Sequence, residues 1–219
     1  MPGPSPASDP KEPVGVRPDR QIPVFGAIRE VSGHILNVVT GLPGSATPLL
    51  MRMLETGGLL ALEEAGPNFT TPPIYHGILE WEAIHGLNRR SPLLERARSR
   101  VINLPCSLVH QLPWNHRYRI LFLRHPVELL ADGRAAEAYP RSERNRASNR
   151  QADTLRNHER ELLELFRAHS HFQLLEIPYE GLIDDPEAWA SLITEYLGPD
   201  LLPHAERMPA VVEDAAGAD

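Results

Sequence analysis

From residue 34 to residue 198, short apolar runs alternate with stretches whose apolar positions recur every three or four residues. "HILNVVT" (34–40) is rich in Ile, Leu and Val and stops at Gly41, as a strand buried on both faces does. "PLLMRMLETGG" follows with Leu49, Leu50, Met53 and Leu54 on one helical face, and Gly57 stands where a helix stop belongs. "RVINLP" (100–105) and "YRILFL" (118–123) predict a second and a third strand. Pro126 then suits the first turn of a helix through "VELLADGRAAEAY". Residues 142–169 predict a long polar helix with Leu155, Leu162, Leu163, Leu165 and Phe166 on its apolar side. "FQLLEIPY" (172–179) predicts a fourth strand, and "PEAWASLITEYLG" an amphipathic helix that closes at Gly198. Strands alternating with helices predict a three-layer α/β domain, a central and mainly parallel sheet flanked by helices, over residues 25–208. The proline-rich residues 1–24 predict a disordered tail, and residues 209–219 a frayed one.

Composition narrows the function classes. The formal net charge of -7 argues against general nucleic-acid binding. Cys106 is the single cysteine, which leaves no internal disulfide, fits a reducing compartment, and reads as a small buried hydrophobe. No apolar run is long enough for a bilayer, and the N-terminus lacks the basic-then-apolar order of a signal peptide. A cytoplasmic protein with no membrane partner is therefore expected. His158, His169 and His171 do not make a recognised ligand set, so no metal is expected.

Ligands of parallel sheets sit outside the carboxyl ends of the strands. That rule places Gly41–Thr47 and Arg124–Pro126 at one edge. Gly41 and Gly44 permit close backbone approach and positive φ. Thr47 reads as the N-cap of the next helix and Pro48 as its first residue. Unpaired amides at a helix start, backed by the dipole, favour an anion even without a cation, and Ser45 and Thr47 add hydroxyls. The loop is not that of a nucleoside triphosphatase, because Ala46 and Thr47 stand where Gly and Lys are required. A plain tight turn before a capped helix has the same appearance.

Five blocks in order carry a resemblance. "GLPGSATPLLMRMLETGG", "HGILEWEAI", "VINLPCSLVHQLP" with "YRILFLRHPVELLAD", "LEIPYEGLIDDPEAWASLITEYLG" and "ERMPAVVED" resemble successive segments of bacterial sulfotransferases over residues 34–213. The sulfuryl donor of that family is 3′-phosphoadenosine-5′-phosphosulfate (PAPS). The resemblance implies a P-loop-type fold, a loop of Gly41, Gly44, Ser45, Ala46 and Thr47 around the 5′-phosphosulfate, and Arg124 on the 3′-phosphate. A planar guanidinium suits that role. It also implies transfer to a hydroxyl or amine of a small-molecule acceptor. The base for that transfer is expected in "HGILEWEAIH", with Glu80 preferred and His76 second. Glu80 and Glu82, two residues apart, point to different faces of a helix, and His85 lies close by.

The sequence also departs from the family. Gly44 replaces the loop's Arg or Lys, Ala46 its second glycine, Asp132 a serine that contacts the 3′-phosphate, and Ile102 a basic residue of the second strand. Loss of such an electrostatic group costs about 10²–10³ in rate. Arg52, one turn into the helix, and His125 are candidate substitutes. The basic run "RSERNRASNR" (141–150) reads as an anion-attracting patch or a solvated helix face. Two readings stay open: a PAPS-dependent sulfotransferase, or a non-catalytic relative that serves as a binding or partner subunit, homo- or hetero-oligomeric. A different P-loop kinase or nucleotidase is disfavoured by the missing lysine.

Overall fold

The computed structural model describes residues 35–62, 96–138 and 144–216. Its elements are β1 (Ile35–Gly41), α1 (Thr47–Thr56), β2 (Val101–Asn103), a 3-10 turn (Cys106–Gln111), β3 (Arg117–Arg124), α2 (Val127–Ala138), α3 (Arg144–Ala168), β4 (Phe172–Pro178), α4 (Tyr179–Asp184), α5 (Pro186–Leu197) and α6 (Met208–Ala216). The four strands form one all-parallel sheet in the order β2-β1-β3-β4. Helices cover both faces, which makes this a three-layer α/β fold.

Strand alternation divides the core in two. On one face Leu36, Val38, Ile102, Ile120 and Phe122 pack against Ala131 of α2 and Leu155, Leu162 and Phe166 of α3. On the other, Val39, Val101, Leu121, Leu123 and Ile177 pack against Leu50 and Met53 of α1, Trp189 and Ile193 of α5, and Met208 and Val212 of α6. Central strands buried on both faces need continuous apolar runs, which is why β1 and β3 read so clearly in sequence. Ile102 is completely buried in the first of these layers. A lysine at this place would bury an unpaired charge, which the packing here does not accommodate. Cys106, at 3% exposure, is the core residue expected of it.

The two ends of α5 show how local chemistry fixes a helix. Asp185 accepts a hydrogen bond from the Ala188 amide at 3.0 Å, and Pro186 follows it, where its missing N–H costs nothing. At the other end the Arg119 Nη1 donates to the Leu197 carbonyl at 2.6 Å. The buried Tyr196 hydroxyl bridges the Gln173 and Ile120 carbonyls at 2.7 and 3.3 Å, and burial pushes its phenol pKa well above the ordinary value.

Two expectations are corrected. Residues 209–216 are not frayed: they lie in α6, where Met208 and Val212 are almost wholly buried and Val211 nearly so. The apolar spacing Met208, Val211, Val212 is helical, and α1 supplies the surface that makes the helix stable. Gly57 is not the left-handed stop of α1, since its φ is -71°. Gly58, at φ 108°, takes that place. Its amide bonds the Glu55 carbonyl and the Leu59 amide the Leu54 carbonyl, the two bonds of a Schellman motif. Gly57 is instead a packing glycine, because an added methyl would meet Leu202 and Met208 at 2.8 Å. The expected tail of residues 1–24 lies outside the described residues.

Candidate functional site

The strand order decides where a ligand can sit. The chain leaves β1 toward β2 on one side and returns to β3 on the other, so β1 and β3 flank the point where the winding reverses. A crevice opens at the carboxyl edge of such a pair. Gly41 lies opposite Leu123 in the register, so the loop after β1 and the Arg124–His125–Pro126 segment are neighbours.

The loop is tightly wound. The Ser45 amide donates to the Leu42 carbonyl at 2.9 Å, Gly44 has φ 90°, and Ala46 has φ 59°, ψ 30°. Ala46 is the one non-glycine residue with positive φ among the described residues. The position that resembles the family's second glycine therefore does need left-handed backbone, and alanine adopts it at a strain of about 1–2 kcal/mol. Ala46 also takes the place expected of Thr47. It is the N-cap of α1 and supplies no side-chain oxygen, while Thr47 opens the helix and Pro48 follows. The start of α1 thus has no side-chain cap, and a chain that omits one leaves its first amides to the backbone or to a guest. Among the described residues the amides of Gly44, Ala46 and Thr47 donate to no main-chain carbonyl outside α1.

Ser45 is 1% exposed, and its Oγ has no hydrogen-bond partner among the described residues. It lies over Gly41, at the spot that a side chain on Gly41 would fill. Thr40 Oγ1, one residue before Gly41 and completely buried, also has no hydrogen-bond partner among the described residues. Gly44 faces Leu130 of α2: a methyl added to it would meet Leu130 Cδ2 at 3.4 Å. The loop is therefore polar within and apolar at its outer wall.

Arg124 is committed elsewhere. Its Nε and Nη2 donate to the two oxygens of Glu159 at 3.0 and 3.2 Å, and its Nη1 to Glu176 at 3.0 Å. Glu176 also accepts from Arg167 at 2.5 Å. The hydrogen bond to Glu159 is the main cause that raises the guanidinium pKa further above its ordinary value. Sequence reading missed both carboxylates. Glu176 carried a signal, since a lone charge between Leu175 and Ile177 in a strand needs a buried partner. Glu159, in a run of charged residues on α3, carried none.

The other expected residues divide in the same way. Asp132 accepts a short hydrogen bond from Ser148 and so links α2 to α3. Arg52 is exposed on the outer side of α1, opposite the buried Leu49, Leu50 and Met53. His125 stacks on Tyr179, ring centroids 4.5 Å apart, with its Nδ1 buried and unpartnered among the described residues. In the basic run, Ala147 and Ser148 turn inward while Asn149 and Arg150 are exposed, the pattern of a solvated helix face. Glu80, His76, Glu82 and His85 lie outside the described residues. Among the described residues no set of three or more His, Cys, Asp or Glu side chains is placed to hold a metal. No described helix is long and apolar enough to cross a membrane.

The fold and this edge define a parallel α/β domain with an uncapped helix start at its winding-reversal point. No family model matches the chain, and no curated protein does.

Proposed function

We propose that the chain is a non-catalytic member of the sulfotransferase-like α/β class, acting as a binding or partner subunit. The observation that carries this reading is Gly44. At the position where the sequence resemblance places a loop cation, the backbone stands at φ 90°, which any side chain adopts only with strain. The shape of the loop thus disfavours a cationic side chain there, and the residue supplies none. Without it, charge that develops on a transferred sulfuryl group has no fixed positive partner in the loop. Radiolabelled PAPS offered with a panel of phenols, alcohols and amines tests the reading. No transfer is expected, and turnover above the rate without protein would overturn it.

A second reading, PAPS-dependent transfer to a small hydroxyl or amine, is favoured by Ser45. Its buried, unpartnered hydroxyl beside amides at a helix start is the kind of group that an oxyanion completes. Glu80 or His76 would be the base in that reading.

A further inference from the structure

We infer that Glu159 and Glu176 act as an internal substitute for an oxyanion on Arg124, so that this edge of the sheet is set against anionic ligands. The inference deepens the non-catalytic reading above and rests on it for the site it concerns. Its basis is geometric. A guanidinium meets a phosphate or sulfate through two parallel N–H groups, and Glu159 takes that fork, one oxygen on Nε and the other on Nη2. Glu176 takes the remaining side through Nη1.

The arrangement also resists displacement. The side chains of Glu159 and Glu176 are only 14% and 11% exposed, whereas Arg124 is 40% exposed. A visiting anion could reach the guanidinium, but it would have to displace Glu159, whose one hydrogen-bonded cation among the described residues is Arg124, in a place with little water. A carboxylate stripped of its partner in such a place is strongly unfavourable. Glu176 keeps Arg167 in either case, so it is anchored by two guanidinium groups at once. Two positive and two negative side chains meet here, and the cluster presents no excess charge to a ligand. The carboxylates come from α3 and β4 and Arg124 from β3, so the cluster forms only once these three elements have packed together.

Isosteric amides separate this role from simple bracing. Isothermal titration with adenosine 3′,5′-bisphosphate, and separately with sodium sulfate, would be run on the full chain and on Glu159→Gln, Glu176→Gln and the double variant. The wild-type protein is expected to bind the bisphosphate no tighter than millimolar. The double variant should bind it at least tenfold tighter, and Arg124→Gln in that background should cancel the gain. Circular dichroism establishes which variants are folded. If the double variant unfolds, Glu159→Gln alone, which leaves Glu176 on both arginines, carries the test with an expected gain of severalfold. A folded variant with wild-type affinity, or a gain that survives Arg124→Gln, refutes the inference. A response to sulfate equal to that for the bisphosphate still supports it, and assigns the site to oxyanions in general. Transfer from PAPS by the wild-type protein would instead refute the non-catalytic reading, whatever the variants bind.

Discussion

Substitution at Ala46 tests the loop geometry most directly. The residue stands at φ 59°, ψ 30°, and its Cβ lies at the margin of the core layer that holds α1. Glycine would relieve about 1.5 kcal/mol of left-handed strain. Against this, glycine frees the unfolded chain by about 0.7 kcal/mol, and the loss of a half-buried methyl costs about 0.4 kcal/mol. Ala46→Gly should therefore stabilise the protein by about 0.4 kcal/mol. Valine moves the other way, because a β-branched side chain is a severe misfit in this region; a further loss of about 1 kcal/mol or more below alanine is expected. Urea unfolding of the three proteins, followed by circular dichroism, should give midpoints in the order Gly, Ala, Val with one common slope. A valine variant as stable as the glycine variant would mean that the loop does not hold this backbone in solution.

Gly41→Ala should destabilise strongly, by about 3 kcal/mol or more, because the new methyl would meet the Leu123 carbonyl at 2.7 Å as well as the Ser45 hydroxyl; thermal melting reads it. Tyr196→Phe removes the bridge between the Gln173 and Ile120 carbonyls and should cost about 1–2 kcal/mol in urea unfolding, with the fold intact. His171 gives a pH dependence. Burial, and secondarily the charge of His169, hold its folded-state pKa below the ordinary value. The unfolded chain then takes up the proton first, so stability is full above about pH 6.5 and declines as pH falls below it. Urea midpoints measured across that window should fall less in His171→Asn. A midpoint that rises on acidification, with the rise lost in that variant, contradicts the assignment.

How much was legible in the sequence follows from what each feature depends on. β1, β3, α2 and α5 are specified by their own residues: continuous apolar runs, and a proline or capping residue at the start. Their limits were therefore readable to within a residue or two. α6 depends on α1, far away in the chain, and its short apolar stripe looked like a tail until that surface was in place. The helix stop of α1 fell one residue beyond the expected glycine, because two glycines adjoin there and only packing against Met208 tells them apart. At the candidate site, the loop and Arg124 were found, but their state was not. The ion pairs of Arg124 join β3, β4 and α3, and no local pattern announces a contact between Arg124 and Glu159. Whether a cationic side chain is available to a ligand is a tertiary property.

The packing of α6 on α1 has a consequence for how the protein is made. On the ribosome β1, the loop and α1 are synthesised early, yet the part of α1 that packs on α6 stays uncovered until Met208, Val211 and Val212 have emerged. The sheet can begin to assemble before then, since β1, β2 and β3 precede α3. The helix that frames the loop can rest on the sheet by then, but its packing is completed only near the end of synthesis. A chain interrupted before residue 208 would thus present the α6-facing stripe of α1 to chaperones and proteases, although its sheet-facing side would be covered.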